Sequence, residues 1–88
     1  MKKSAFIIGR NYFIRTVTYH IVGKLIDIYK KELVLTSASW IADSGRFNNA
    51  LKNGIFNEVE PFVNNVIVNR SGIIDATEWN HELPDKVV

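Results

Sequence analysis

Two adjoining segments of β-forming residues, interrupted by one glycine, constrain this chain more than any other feature. Residues 12–19 read Tyr-Phe-Ile-Arg-Thr-Val-Thr-Tyr, a run of aromatic and β-branched side chains that suits a pleated surface. In an extended strand Phe13, Arg15, Val17 and Tyr19 share one face, and Tyr12, Ile14, Thr16 and Thr18 the other. His20 to Tyr29 reads as a second strand with Gly23 inside it. A glycine there gives the sheet nothing to pack, so it marks a bulge, a bend or a close backbone approach. Lys30-Lys31-Glu32 supplies a polar turn and Leu33-Val34-Leu35-Thr36 a third strand. A long, bent hairpin is therefore the expected centre of the fold.

Upstream, Ala5 to Ile8 is a short apolar run ended by Gly9-Arg10-Asn11. Downstream of Trp40 and Ile41 the pattern changes. Asp43 or Ser44 can cap a helix over Arg46 to Asn53, with Phe47, Ala50 and Leu51 on one face and Gly54 placed to end it. Two turns are marginal alone, so that face must pack on the sheet. Glu58-Val59-Glu60 alternates as a short strand that Pro61 stops. Asn64-Asn65 marks a turn, Val66 to Asn69 a strand, Ser71-Gly72 a turn, and Ile73 to Thr77 a last strand. The connections are too short for crossovers, so neighbours are antiparallel. The expected fold is mainly β (α+β): a small bent antiparallel sheet, or partly open barrel, of five to six strands with one short helix. It is a single domain over residues 1–88, with a loose polar tail over 80–88.

With 88 residues, 47% of them apolar and 23% charged, the chain has the make-up of one globular domain. The absence of cysteine removes disulfides, thiolate metal sites and cysteine nucleophiles together. Met1-Lys2-Lys3 resembles the start of an export signal, but the apolar stretch behind it is too short for one. No apolar run approaches a bilayer span, so no membrane contact is expected. The sequence reads as cytoplasmic. The formal charge is only +2, and the basic doublets Lys2-Lys3 and Lys30-Lys31 read as a solvated terminus and a solvated turn. Nucleic acid, which calls for clustered cations, is not the expected partner.

Catalytic chemistry finds little support. The two histidines, His20 and His81, have no second histidine at ligand spacing, so no metal is expected. His20 near Asp43 or Glu60 could make an acid–base pair, although a satisfied strand histidine is the simpler reading. No glycine-rich phosphate loop and no serine in a nucleophile-elbow context occur. Glu58 and Glu60 share a strand face, which is more often solvated than cation-binding. The sequence leans away from an enzyme and calls for no catalytic residue and no cofactor.

One group does suggest binding chemistry: Arg15, Thr16, Thr18, Tyr19 and His20. Arginine forks onto a phosphate or carboxylate, threonine hydroxyls adapt their hydrogen bonds, and an aromatic ring stacks on a base. Arg46 and Arg70 add charge if they fold inward. Sheet packing plus a surface arginine is the competing reading. Trp40 and Trp79 read as core or subunit contacts. Two Trp, five Phe and three Tyr are many rings for so small a domain. Some must remain near the surface, which points to self-association with closed symmetry.

Several segments together resemble an uncharacterised family of small bacterial and phage proteins. They are Ile14 to His20 with Gly23, Ala38 to Phe47, Glu58 to Phe62, and Ile74 to Thr77 with Trp79. The resemblance covers roughly residues 9–84. It implies a self-contained domain and a phage or prophage source, hence a host cytoplasm, but no activity. The opening through the third strand also looks loosely like an Sm-type small barrel, a likeness that does not settle function. The expected function is a non-enzymatic, homo-oligomeric binder of a small phosphorylated or nucleotide-like ligand. In a phage this would sequester a host nucleotide immune signal, an anti-defence role. The alternative is a structural or interaction accessory protein, and Sm-like nucleic-acid binding ranks below both.

Overall fold

The structure, a computed structural model, describes residues 4–88; the expectation for Lys2-Lys3 lies outside them. Its six strands are β1 (Asn11–Thr16), β2 (His20–Ile28), β3 (Glu32–Asp43), β4 (Glu58–Pro61), β5 (Val66–Asn69) and β6 (Ile73–Glu78). One helix, α1 (Phe47–Asn53), separates β3 from β4. All pairings are antiparallel, in the order β4-β3-β2-β1-β6, with β5 also on β3. β5 takes the first part of β3, Glu32 to Leu35, and β4 the last, Ser39 to Asp43. Among the described residues β6 pairs only with β1, so the sheet is open. The expected bent antiparallel sheet with one short helix is what the chain forms.

The sheet is sharply curved. A straight strand of nine residues would run about 30 Å. Yet one three-residue 3-10 turn, Arg70–Gly72, touches the turns at both ends of β2. Val17 N donates to Gly72 O (3.1 Å) and Arg70 N donates to Lys31 O (2.9 Å). The bend arises where β2 faces β3. Val22 lies opposite Ser39 and Lys24 opposite Thr36, so β3 carries one extra residue there. Ser37 takes a left-handed φ of 49° within this bulge. Gly23 sits across from it. A Cβ on Gly23 would lie 2.9 Å from the Ala38 Cβ and 3.1 Å from its Cα. The glycine is there because another backbone needs the space.

Curvature divides the apolar residues between two clusters. The concave side holds Tyr12, Ile14, Ile21, Leu25, Leu33, Leu35, Ala38 and Val68. The other face carries Phe13, Val22, Ile41, Ala50, Phe56, Val59 and Trp79, with Leu51 and Leu83 against them. α1 and the C-terminal tail cover this second cluster. Phe13 is its hub, with edge-on contacts to Phe47, Phe56 and Trp79.

Three local expectations need correction. First, β1 stops at Thr16 rather than running to Tyr19. The Thr16 hydroxyl donates to Tyr19 O (2.8 Å) and accepts from Tyr19 N (3.0 Å), which closes a turn without glycine or proline. Second, the residue capping α1 is Arg46, with no side-chain cap bond. Asp43 still belongs to β3, and its carboxylate accepts from Gly45 N (2.8 Å) to turn the chain before the helix. Gly54 ends α1 as expected, at φ 71°, its N–H bonding Ala50 O. Third, the tail is docked rather than loose. Trp79 Nε1 donates to Glu82 O (3.2 Å), a His81 ring nitrogen meets Leu51 O (2.8 Å), and Ser39 Oγ donates to Pro84 O (3.3 Å). Val59 and Val88 exchange both backbone hydrogen bonds. Among the described residues no helix is long and apolar enough to cross a membrane.

Candidate functional site

The β1–β2 turn places part of the expected group together. Thr16, Val17, Thr18, Tyr19 and His20 line a hollow of about 270 Å³ whose far wall is Trp40, Ile41 and Ala42 of β3. The rings of Tyr19 and Trp40 remain partly exposed here, 37% and 41%. The His20 ring packs edge-on against Phe13 at 5.6 Å between centroids. Thr18 is exposed at the tip. Thr16 is 8% exposed, and its hydroxyl is committed to the turn, which makes it a scaffold for the hollow rather than a ligand contact within it.

Arg15 is already engaged. Its Nε donates to Asp75 Oδ1 (2.8 Å) and a terminal nitrogen to Oδ2, a two-pronged pair across β1 and β6. The guanidinium also lies over the Phe47 ring, 4.8 Å from its centroid. The hydrogen bond from Arg15 holds the Asp75 carboxyl below its ordinary range, with a smaller contribution from nearby His20, while partial desolvation opposes it. The same bond raises Arg15. A ligand anion at Arg15 would have to displace Asp75. The position was legible in the sequence; the partner was not, because a cross-strand register sixty residues away sets it.

Arg46 stands exposed at the start of α1, next to Phe47, and lines neither the turn hollow nor the one that holds Arg70. Arg70 lies at the far end of the 3-10 turn. With Lys30, Lys31, Glu32, Asn69 and Ser71 it lines a second hollow of about 520 Å³. One Arg70 nitrogen donates to Tyr29 O (2.8 Å), which fixes the guanidinium but uses one of its five donors. Asn69 Oδ1 accepts from both Ser71 N (3.0 Å) and Ser71 Oγ (2.9 Å), which shapes the turn beneath. Three cations face one carboxylate here, so the hollow carries a formal 3 − 1 = +2. Among the described residues Lys30, Lys31 and Arg70 pair with no carboxylate.

The two hollows share no lining residue, but a short rim of backbone, the 3-10 turn, runs between them. The 3-10 turn rises only about 6 Å over its three residues, and its ends bond to Val17 of the aromatic hollow and Lys31 of the cationic one. Sequence reasoning missed Lys30 and Lys31 because an isolated basic doublet in a hairpin turn is normally solvated. It missed Trp40 as a wall of the hollow because ring type does not reveal the face of a bent strand. Of the other candidates, Glu58 lies opposite Asp43 and Glu60 opposite Trp40, on an exposed strand. Scans against protein-family models, curated proteins and solved structures each find no match.

Proposed function

We propose that the protein binds a small phosphorylated, nucleotide-like ligand along this rim. Lys30, Lys31 and Arg70 take the phosphate, and Tyr19 with Trp40 takes the base. The observation that carries the reading is the 3-10 turn whose two ends hydrogen-bond to Lys31 of the cationic hollow and Val17 of the aromatic one. Cations without carboxylate partners on a fixed backbone favour phosphate, and a flanking ring accepts any base by stacking. His20 and Thr18 border the ring side, while Arg15 stays paired with Asp75. Together with the resemblance to small phage proteins, the rim suits sequestration of a nucleotide signal in a host cytoplasm, by binding rather than turnover.

Calorimetry with ADP and with inorganic pyrophosphate tests this. Both should bind the wild type, Arg70→Ala should weaken both, and Tyr19→Ala should weaken ADP alone. Absence of binding of either at millimolar concentration contradicts the reading.

A second reading has its own observation. Trp40, Phe62 and Val63 are exposed close together, with Val63 96% exposed, and Phe62 N bonds Ala38 O beside Trp40. An apolar patch of this kind suits a protein contact, in which case the chain is an accessory protein and Val63→Lys, outside both hollows, abolishes partner capture.

A further inference from the structure

We propose that two copies of this chain join edge to edge through β6, forming a twofold dimer with Ala76 on the axis. The proposal stands independently of the ligand reading.

Among the described residues β6 is an outer strand, and the phase of its backbone is fixed by bonds on both sides of β1. Trp79 N donates to Asn11 O (2.8 Å), so Thr77 and Asp75 also turn their peptide groups toward β1. On the far side of β1, Thr16 N donates to Tyr19 O (2.8 Å), which requires the same phase. Ala76 and Glu78 therefore aim N–H and C=O outward. Natural edges are usually blunted by lysine or proline, or by a bulge that twists them away. β6 has neither residue, and its one bulge, at Ile74, lies at the start and leaves 75–78 regular.

The occupant follows from the charges. Asp75 and Glu78 are the two carboxylates on this strand, and each is held by an arginine beside it, Arg15 and Arg10. With Ala76 opposite its own copy, Asp75 faces Thr77 of the partner subunit and Glu78 faces Ile74 of the partner subunit. No carboxylate opposes another, and a threonine hydroxyl meets a carboxylate twice. Ile74, 63% exposed, becomes covered. A groove of about 480 Å³ runs along the strand, lined by Phe6, Tyr12, Ile73 and Ala76 among others. Phe6, Ile73 and Ala76 also pack on the concave cluster and are only partly buried, so a second β6 would complete that side of the core. A twofold strand pairing needs just such a self-complementary register.

Light scattering, amide hydrogen exchange and three variants test the proposal. The wild type at about 100 µM should weigh about 20 kDa, twice the chain mass of 10.1 kDa. Its Ala76 and Glu78 amides should exchange slowly, and faster on dilution. Ile74→Lys and Ala76→Pro should both return the mass to about 10 kDa while keeping the wild-type circular dichroism spectrum. Ile67→Lys, on the separate edge formed by β5, should leave the dimer intact. A wild-type mass of about 10 kDa at that concentration overturns the proposal. So does a dimer that survives Ile74→Lys, or one whose Ala76 and Glu78 amides exchange at the rate of unpaired residues.

Discussion

Replacing Gly23 tests the bend that gives the sheet its shape. The space at this position is set by Ala38, whose Cβ would stand 2.9 Å and whose Cα 3.1 Å from an added Cβ, with the Leu35 Cβ at 3.3 Å. Two of these three are Cβ atoms and one is backbone, so none can swing aside as a side-chain tip could. Gly23→Ala must therefore open the β2–β3 spacing at the bulge. Overpacking of this kind costs about 1–3 kcal/mol. In a domain this small each kcal/mol moves the melting midpoint by about 4–8 °C, so Gly23→Ala should lower Tm by about 5–20 °C and Gly23→Val by more. The companion change Ala38→Gly removes the 2.9 Å approach. It should recover part of the stability in the double variant, giving a favourable coupling in a double-mutant cycle. Thermal denaturation of the four proteins, followed by circular dichroism, reads the result. An unchanged midpoint for Gly23→Ala, or destabilisations that simply add in the double variant, would refute the close-approach account.

Two further outcomes follow from the structure. Asp75 titrates below its ordinary range because Arg15 favours the ionised form, so this pair stabilises the fold above the unfolded carboxyl pKa and ceases to as pH falls through the lowered folded value. Carboxyl-detected NMR should find the Asp75 midpoint below that of a free aspartate and rising in Arg15→Ala; an unmoved midpoint contradicts the pairing. Leu83→Ala should lower stability by about 1–2 kcal/mol in urea denaturation, since a partly buried leucine leaves a smaller gap than a fully buried one; no change would mean the tail is undocked in solution.

The sequence was informative where local chemistry decides. Gly23, the hairpin and Gly54 as helix stop all act through backbone conformation within a few residues, whereas Pro61, expected to stop β4, is its last paired residue. The sequence was uninformative where a partner distant along the chain decides. Nothing between Thr16 and Tyr19 has ordinary turn chemistry, and only the Thr16 hydroxyl reveals that the chain reverses there. β3 reads as four residues but extends to Asp43, because pairing with β2 on one side and β4 on the other carries it through Ser37. The polar tail hides an anchor, Leu83, whose value depends on a cluster assembled from several other elements, whereas Trp79 just before it is the core residue its type suggested. The candidate site divides in the same way. The residue types around the first turn were legible, whereas the engagement of Arg15 by Asp75 and the convergence of Lys30, Lys31 and Arg70 depend on cross-strand register and on a 3-10 turn far along the chain.

The central claim is that the cationic hollow and the aromatic hollow form one ligand rim. Titration calorimetry of ADP into the wild type, Arg70→Ala and Tyr19→Ala tests it most directly. A charge-assisted hydrogen bond from Arg70 to phosphate is worth about 1.5–3 kcal/mol, or tenfold and more in affinity. The account predicts that each variant weakens ADP by about that factor while its melting curve stays that of the wild type. ADP that binds Arg70→Ala as tightly as the wild type, or that does not bind the wild type at millimolar concentration, would contradict it.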